Sequence, residues 1–154
     1  MTIKIYSYLN FAGNAEEAFN FYKSVFGGEF DSVVRFKDMP MEGTDQLSDD
    51  ELNKIMHIGL PIGEDSLLMA SDVLESMGQK IKMGNNFYIY VSAPTRQETE
   101  RLYKGLSVNG SIEMPLTKVP WGTYFGMFED HFGIKWMVSY DYCPELGWGE
   151  AIPT

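Results

Sequence analysis

An internal repeat constrains this chain more than any other feature. Ile3 to Phe30, IKIYSYLNFAGNAEEAFNFYKSVFGGEF, reads as a strand, a turn, a capped helix, a glycine stop and the start of a second strand. In the first copy Asn14 and Glu17 have capping-box spacing, the Asn side chain taking a first-turn amide while Glu17 reaches back. Ala18, Phe21, Tyr22, Val25 and Phe26 then recur at helical spacing and predict the buried face. Gly27-Gly28 supplies the left-handed conformation that closes a helix. In the second copy Thr95 and Glu98 stand 81 residues after Asn14 and Glu17, and Tyr103-Lys104 stands 81 after Tyr22-Lys23. Leu102, Tyr103 and Leu106 form its stripe, and Asn109-Gly110 closes it.

Strand signals complete each copy. Thr2 to Leu9 and Glu29 to Lys37 are rich in β-branched and aromatic residues. Lys54 to Pro61 and Ser66 to Ser71 form a hairpin across the short turn Ile62 to Asp65. Between them, Asp38 to Glu51 holds six acids and no base. It reads as a solvated loop with one helical turn started by Ser48 and Glu51, and it lacks the fixed glycine of a calcium loop. Asp72 to Met83 is a linker. The second half predicts strands over Asn85 to Ser92, Ile112 to Val119, Thr123 to Glu129 and Ile134 to Tyr140. The expected class is α+β with mostly antiparallel sheet: two βαβββ modules, about residues 1–72 and 84–141, within a single domain spanning 1–154. One such module cannot cover its own sheet, so two pack together or pair with a partner chain.

Composition excludes several function classes. A hydrophobic content of 44% with 14% aromatics is ample for a packed interior. The net charge of −10, with no Lys/Arg cluster to offset it, disfavours nucleic acid. The start shows no signal-peptide pattern, and no run approaches the ~18 apolar residues of a membrane span. A single cysteine, Cys143, excludes an internal disulfide and lacks a neighbouring histidine. These features lead to the expectation of a cytoplasmic protein with no membrane partner.

The segments YLNFAGNAEEAFNFYKSVFGGE, MHIGLPIGEDSLLMASD (Met56 to Asp72) and WGTYFGMFEDHFGIKWMV (Trp121 to Val138) together resemble the PhnB-like group of the vicinal oxygen chelate superfamily, which includes glyoxalase I, extradiol dioxygenases and bleomycin-resistance proteins. The resemblance implies a curved sheet of two βαβββ modules around a cavity, and a homodimer. In metal-using members a His on the first strand, an acid on the fourth, a His or Glu on the fifth and a Glu on the eighth face that cavity. Counted from the FY pair and the EDxxG turn, those positions fall at Ser7, about Leu68, about Asn86 and Met137. None of the four is a competent ligand for a divalent ion, so no metal and no cofactor are expected. The group has carried a methyltransferase label, but the chain lacks the glycine-rich strand–helix loop and following acid of a nucleotide-type cofactor site.

The resemblance therefore directs attention to polar groups among apolar ones. His57, the only histidine on a predicted strand, is the candidate catalytic proton carrier or else a hydrogen-bonded structural residue; His131 falls in a tight turn. Ser7 and Asn86 inherit cavity-facing positions and, with Met69, Trp121, Tyr124 and Met137, make up the candidate ligand-binding set. Trp121 and Tyr124 suit stacking on a planar or cationic ligand, or equally core or dimer packing. Met69, Met127 and Met137 read as soft lining or ordinary core. Asp72 reads as a cap for the turn after its strand. Three functions stay open: a metal-free binder of a small cationic or aromatic molecule, a lyase or dioxygenase with a rearranged site, and an interaction domain without a cavity.

Overall fold

The two copies of the repeat fold as two units, Met1–Lys82 and Met83–Thr154, each running strand–helix–strand–strand–strand. The computed structural model describes residues 2–142, so Cys143 lies outside the described residues. The first unit contains β1 (Ser7–Phe11), α1 (Ala15–Phe26), β2 (Ser32–Arg35), the single helical turn α2 (Asp49–Leu52), β3 (Ile55–Ile62) and β4 (Ser66–Asp72). Its sheet has the order β1-β4-β3-β2, with β1 parallel to β4 and the other pairs antiparallel. The second unit contains β5 (Ile89–Ser92), α3 (Arg96–Leu106), β6 (Ser111–Val119), β7 (Thr123–Glu129) and β8 (Lys135–Asp141). Its order, β5-β8-β7-β6, is the same topology with β5 parallel to β8. The class is α+β, and both sheets are mixed and unclosed.

α1 and α3 each cover one face of their own sheet. Ala15, Ala18, Phe19, Tyr22 and Val25 of α1 are buried. Phe19 meets Phe11 of β1 edge-on, with ring centroids 6.3 Å apart, and lies against Tyr22 at 5.5 Å. Phe19 is thus a core residue that the predicted stripe omits, whereas Phe21 and Phe26 are only half-buried. In the second unit Leu102 and Leu106 of α3 are buried, and Tyr103 packs edge-on against Phe128 at 5.6 Å. Gly126 admits the Tyr103 ring, because a Cβ there would lie 2.8 Å from Cε2.

Two buried carboxylates replace or extend the expected caps. Asp72 accepts the backbone N–H groups of Gly13 and Ala15 at 3.0 Å through Oδ1, and that of Ile55 at 2.9 Å through Oδ2. It therefore ties the start of α1 to the start of β3 rather than capping the turn after β4. The Asn14 side chain makes no cap bond: Asp72 has taken the first-turn amide. At Thr95 the expected cap forms, Glu98 N–H donating to Oγ1 at 3.1 Å. Asp130, the buried carboxylate of the second unit, sits in the turn between β7 and β8. It accepts Phe132 N–H at 2.8 Å, Ile134 N–H at 3.0 Å and Trp136 Nε1–H at 2.8 Å.

Three expected strands are shorter than their composition implies. Pairing of β1 begins at Ser7, opposite Leu68, and Ile3 and Ile5 upstream are 90% and 92% exposed. The segments Glu29–Lys37 and Asn85–Ser92 contract to β2 and β5. A β-rich run becomes a strand only where a neighbour supplies a ladder.

Candidate functional site

Side-chain alternation divides each sheet into a helix-covered face and an opposite face, and the cross-strand register assigns residues to each. In the first unit Leu9, Phe11, Ile58, Leu60, Leu68 and Ala70 share the helix side and are buried. The opposite face carries the row Tyr8–Met69–Gly59–Ser32, read across β1, β4, β3 and β2. Next to it stand Asn10 and Ser71, partners in register, with Ser71 Oγ donating to Asn10 Oδ1 at 3.4 Å. His57, opposite Val34, completes this polar strip. The Tyr8 hydroxyl lies 3.3 Å from His57 Nδ1, with ring centroids 5.8 Å apart. Gly59, opposite Met69, has no side chain, and the Asp31 carboxylate lies against it.

The second unit repeats the arrangement with softer residues. Tyr124, Phe128, Trp136, Val138 and Tyr140 occupy the helix side. The opposite face carries the row Tyr90–Met137–Met127–Met114 across β5, β8, β7 and β6. Beside it runs Ser92–Ser139–Phe125–Thr117. Tyr8 opposite Met69 in one unit and Tyr90 opposite Met137 in the other are the same parallel-strand pair, the tyrosines 82 positions apart. At the end near the start of β5, Glu113 accepts hydrogen bonds from Tyr88 and Lys135, and the Lys135 ammonium lies 5.0 Å from the Tyr88 ring centroid. The Lys135 hydrogen bond, with that of Tyr88, holds the Glu113 carboxyl below its ordinary range. The same contact to Glu113 raises Lys135 and Tyr88 above theirs.

The structure places the expected residues unevenly. His57 and Met69 share the helix-free face of the first sheet, and Met137 and Met127 share that of the second. Ser7 shares the parity of Leu9 and Phe11, so it stands on the helix side rather than the expected face. Asn86 is exposed and precedes β5. Tyr124 is buried on the helix side, its hydroxyl 3.3 Å from Glu100 of α3, and burial chiefly raises its pKa. Trp121, in the β6–β7 turn, is 73% exposed and lines neither face. Tyr8 and Tyr90 also stand on the helix-free faces and are not among the expected residues; alternation from the buried Leu9 and Phe11 puts Tyr8 there.

The helix-free sides of β1, β4, β5 and β8 carry Tyr8, Asn10, Leu67, Met69, Ser71, Tyr90, Ser92, Lys135, Met137, Ser139 and, at the end of β8, Asp141. This set has no imidazole or thiolate, and its one carboxylate, Asp141, lies at the exposed end of β8 with no second ligand among these residues, so it does not fit a divalent ion. Among the described residues no three of His, Cys, Asp and Glu cluster as a metal site.

Residues 4–138 match the model of the Glyoxalase/Bleomycin resistance protein/Dioxygenase superfamily, and the chain belongs to that superfamily. Among its relatives is protein YjdN of Escherichia coli, 29% identical over 138 residues, covering 86% of this chain and 91% of that protein. Protein PA1353 from Pseudomonas aeruginosa superposes with a TM-score of 0.79 at 35% identity, over 91% of this chain and 98% of that one. A PhnB protein from Bacillus cereus, described as a putative 3-demethylubiquinone-9 3-methyltransferase, superposes with a TM-score of 0.70 at 27% identity, over 90% and 99%. Among the described residues no helix is long and apolar enough to cross a membrane.

Proposed function

We propose that this superfamily member binds a small aromatic or cationic molecule without a metal ion, on the helix-free faces of its sheets, and that its two modules belong to one domain of a homodimeric protein. The observation that carries this reading is the repeated pair Tyr8–Met69 and Tyr90–Met137. Those strands carry the family's metal ligands in metal-using members, and here the pairs offer aromatic and thioether surface instead. Such surface favours flat, polarisable or cationic ligands through stacking, S–aromatic and cation–π contacts. The reading is tested by elemental analysis of purified protein together with a thermal-shift screen of cationic and aromatic metabolites. A ligand at a hundredfold excess over Kd adds about 2.7 kcal/mol, a Tm rise of about 5–10 °C for a chain of this size. Stoichiometric Zn, Ni, Mn or Fe, or no stabilisation by any compound, refutes the reading.

The Tyr8–His57 contact favours a second reading, an enzyme whose His57 moves a proton with Tyr8 orienting the ring. Turnover of a methylglyoxal–thiol adduct or a catechol that is lost in His57→Ala supports it. Absence of turnover with any of a panel of divalent metals refutes it.

A further inference from the structure

Among the described residues, one buried polar side-chain atom on the second sheet has no hydrogen-bond partner. Ser139 is 1% exposed, and its Oγ makes no hydrogen bond to a described residue. A buried hydroxyl without a partner is costly, and protein interiors rarely leave one unless a water or ligand completes it. Ser139 sits in the row Ser92–Ser139–Phe125, one step along β8 from the row Tyr90–Met137–Met127–Met114. Its cross-strand neighbour Ser92 is exposed, while Phe125, Met127 and Met137 are half-buried. Thioether side chains repack readily around an incoming group, so they can part to admit a ligand to the hydroxyl.

Charge narrows the ligand class. Neither row contains an ionisable acid or base other than the Tyr90 phenol. On one flank Lys135 is already paired with Glu113. On the other, Asp141 accepts the Thr123 hydroxyl at 3.2 Å. A charged ligand seated in the methionine row would lose hydration with no counter-charge in that row, Asp141 standing four residues along β8 from Met137, whereas a neutral one would gain S–aromatic contacts and one hydrogen bond.

We propose that the Ser139 hydroxyl donates the anchoring hydrogen bond to a neutral, flat aromatic ligand bearing a carbonyl-type acceptor, seated against Met127, Met137 and Tyr90. This rests on the small-molecule reading above and selects aromatic and neutral over cationic.

The test uses the intact protein carrying 13C-methyl methionine and four probes of one size: 2-acetylnaphthalene, naphthalene, 2-naphthoate and (naphthalen-2-yl)trimethylammonium. The expected result is that 2-acetylnaphthalene binds most tightly and shifts the Met127 and Met137 methyl signals. Ser139→Ala should weaken the ketone about fivefold to tenfold, the value of one neutral hydrogen bond. The same variant should leave naphthalene affinity unchanged and should not lower Tm. Carbonyl-free naphthalene also reports whether the variant keeps its folded surface. Unchanged ketone affinity in Ser139→Ala overturns the proposal, as does equal binding of a charged probe or a Tm drop of several degrees. If these fail while other compounds stabilise the protein in the thermal-shift screen, the ligand class is wrong and the binding function stands. If no compound of any charge binds in either experiment, both fail.

Discussion

Replacing Asp72 by alanine should be among the most damaging single changes in the first unit. Asp72 is 4% exposed, and its carboxylate accepts three backbone N–H groups, from Gly13, Ala15 and Ile55. A hydrogen bond to a charged group contributes about 1.5–3 kcal/mol, and alanine leaves three donors without their acceptor. The contributions do not add in full because water reaches the part-buried Gly13 amide, so a loss of about 4 kcal/mol is expected. Asp72→Asn keeps the Oδ1 acceptor but turns an NH2 toward Ile55 N–H, and should cost about 2 kcal/mol. The assay is urea denaturation followed by far-UV circular dichroism, with amide hydrogen exchange at Ala15 and Ile55 to localise the loss. Exchange at these two amides should accelerate in both variants, more in alanine than in asparagine. A loss below about 1 kcal/mol in Asp72→Ala, the range of an ordinary substitution, with unchanged exchange at Ala15, would refute the assignment of Asp72 as the clasp between α1 and β3.

Other predictions concern the helix starts and the ion cluster. Thr95→Ala should cost about 1 kcal/mol by removing the Oγ1 cap. Asn14→Ala, at the matching position, should stay within about 0.5 kcal/mol because that side chain caps nothing; equal losses in urea melts would contradict the difference between the two caps. Glu113 is held below its ordinary pKa of 4.5 by Lys135 and Tyr88. A depressed carboxyl adds stability above its unfolded pKa and loses it as pH falls through the folded value. The Tm gap between wild type and Glu113→Gln should therefore narrow from pH 5 downward, and a gap independent of pH over that range would exclude the linkage.

The helices and most strands were legible because their signals are local. Gly27, the Thr95 cap and the alternation in Thr123–Glu129 need only a few neighbouring residues to be read. What the sequence hid is non-local. The Asn14–Glu17 spacing is that of a capping box, yet an acceptor 57 residues from Ala15 takes the amide. Ser7 shows how sharply strand parity acts. Counting back from the FY pair crosses the turn Ala12–Asn14, where Gly13 has φ +104°, and an error of one residue there moves every β1 side chain to the other face. Counting from the buried Leu9 and Phe11 instead selects Tyr8. Ser139 was unreadable because a serine's lack of a partner emerges only once its surroundings are known.

The two buried aspartates differ in one respect that bears on how the chain acquires its shape. Asp130 takes the amides of Phe132 and Ile134, two and four residues downstream, and the Trp136 indole N–H six downstream, whereas Asp72 reaches back 59 residues to Gly13. The turn around Asp130 can therefore close early, at little loop-closure cost. The first module stays unfastened until β4 has been synthesised and laid beside β1. Conservative mutations should accordingly give φ-values near zero at Asp72 and appreciably higher at Asp130. On the ribosome, the half of the chain made first would then wait on its own last strand.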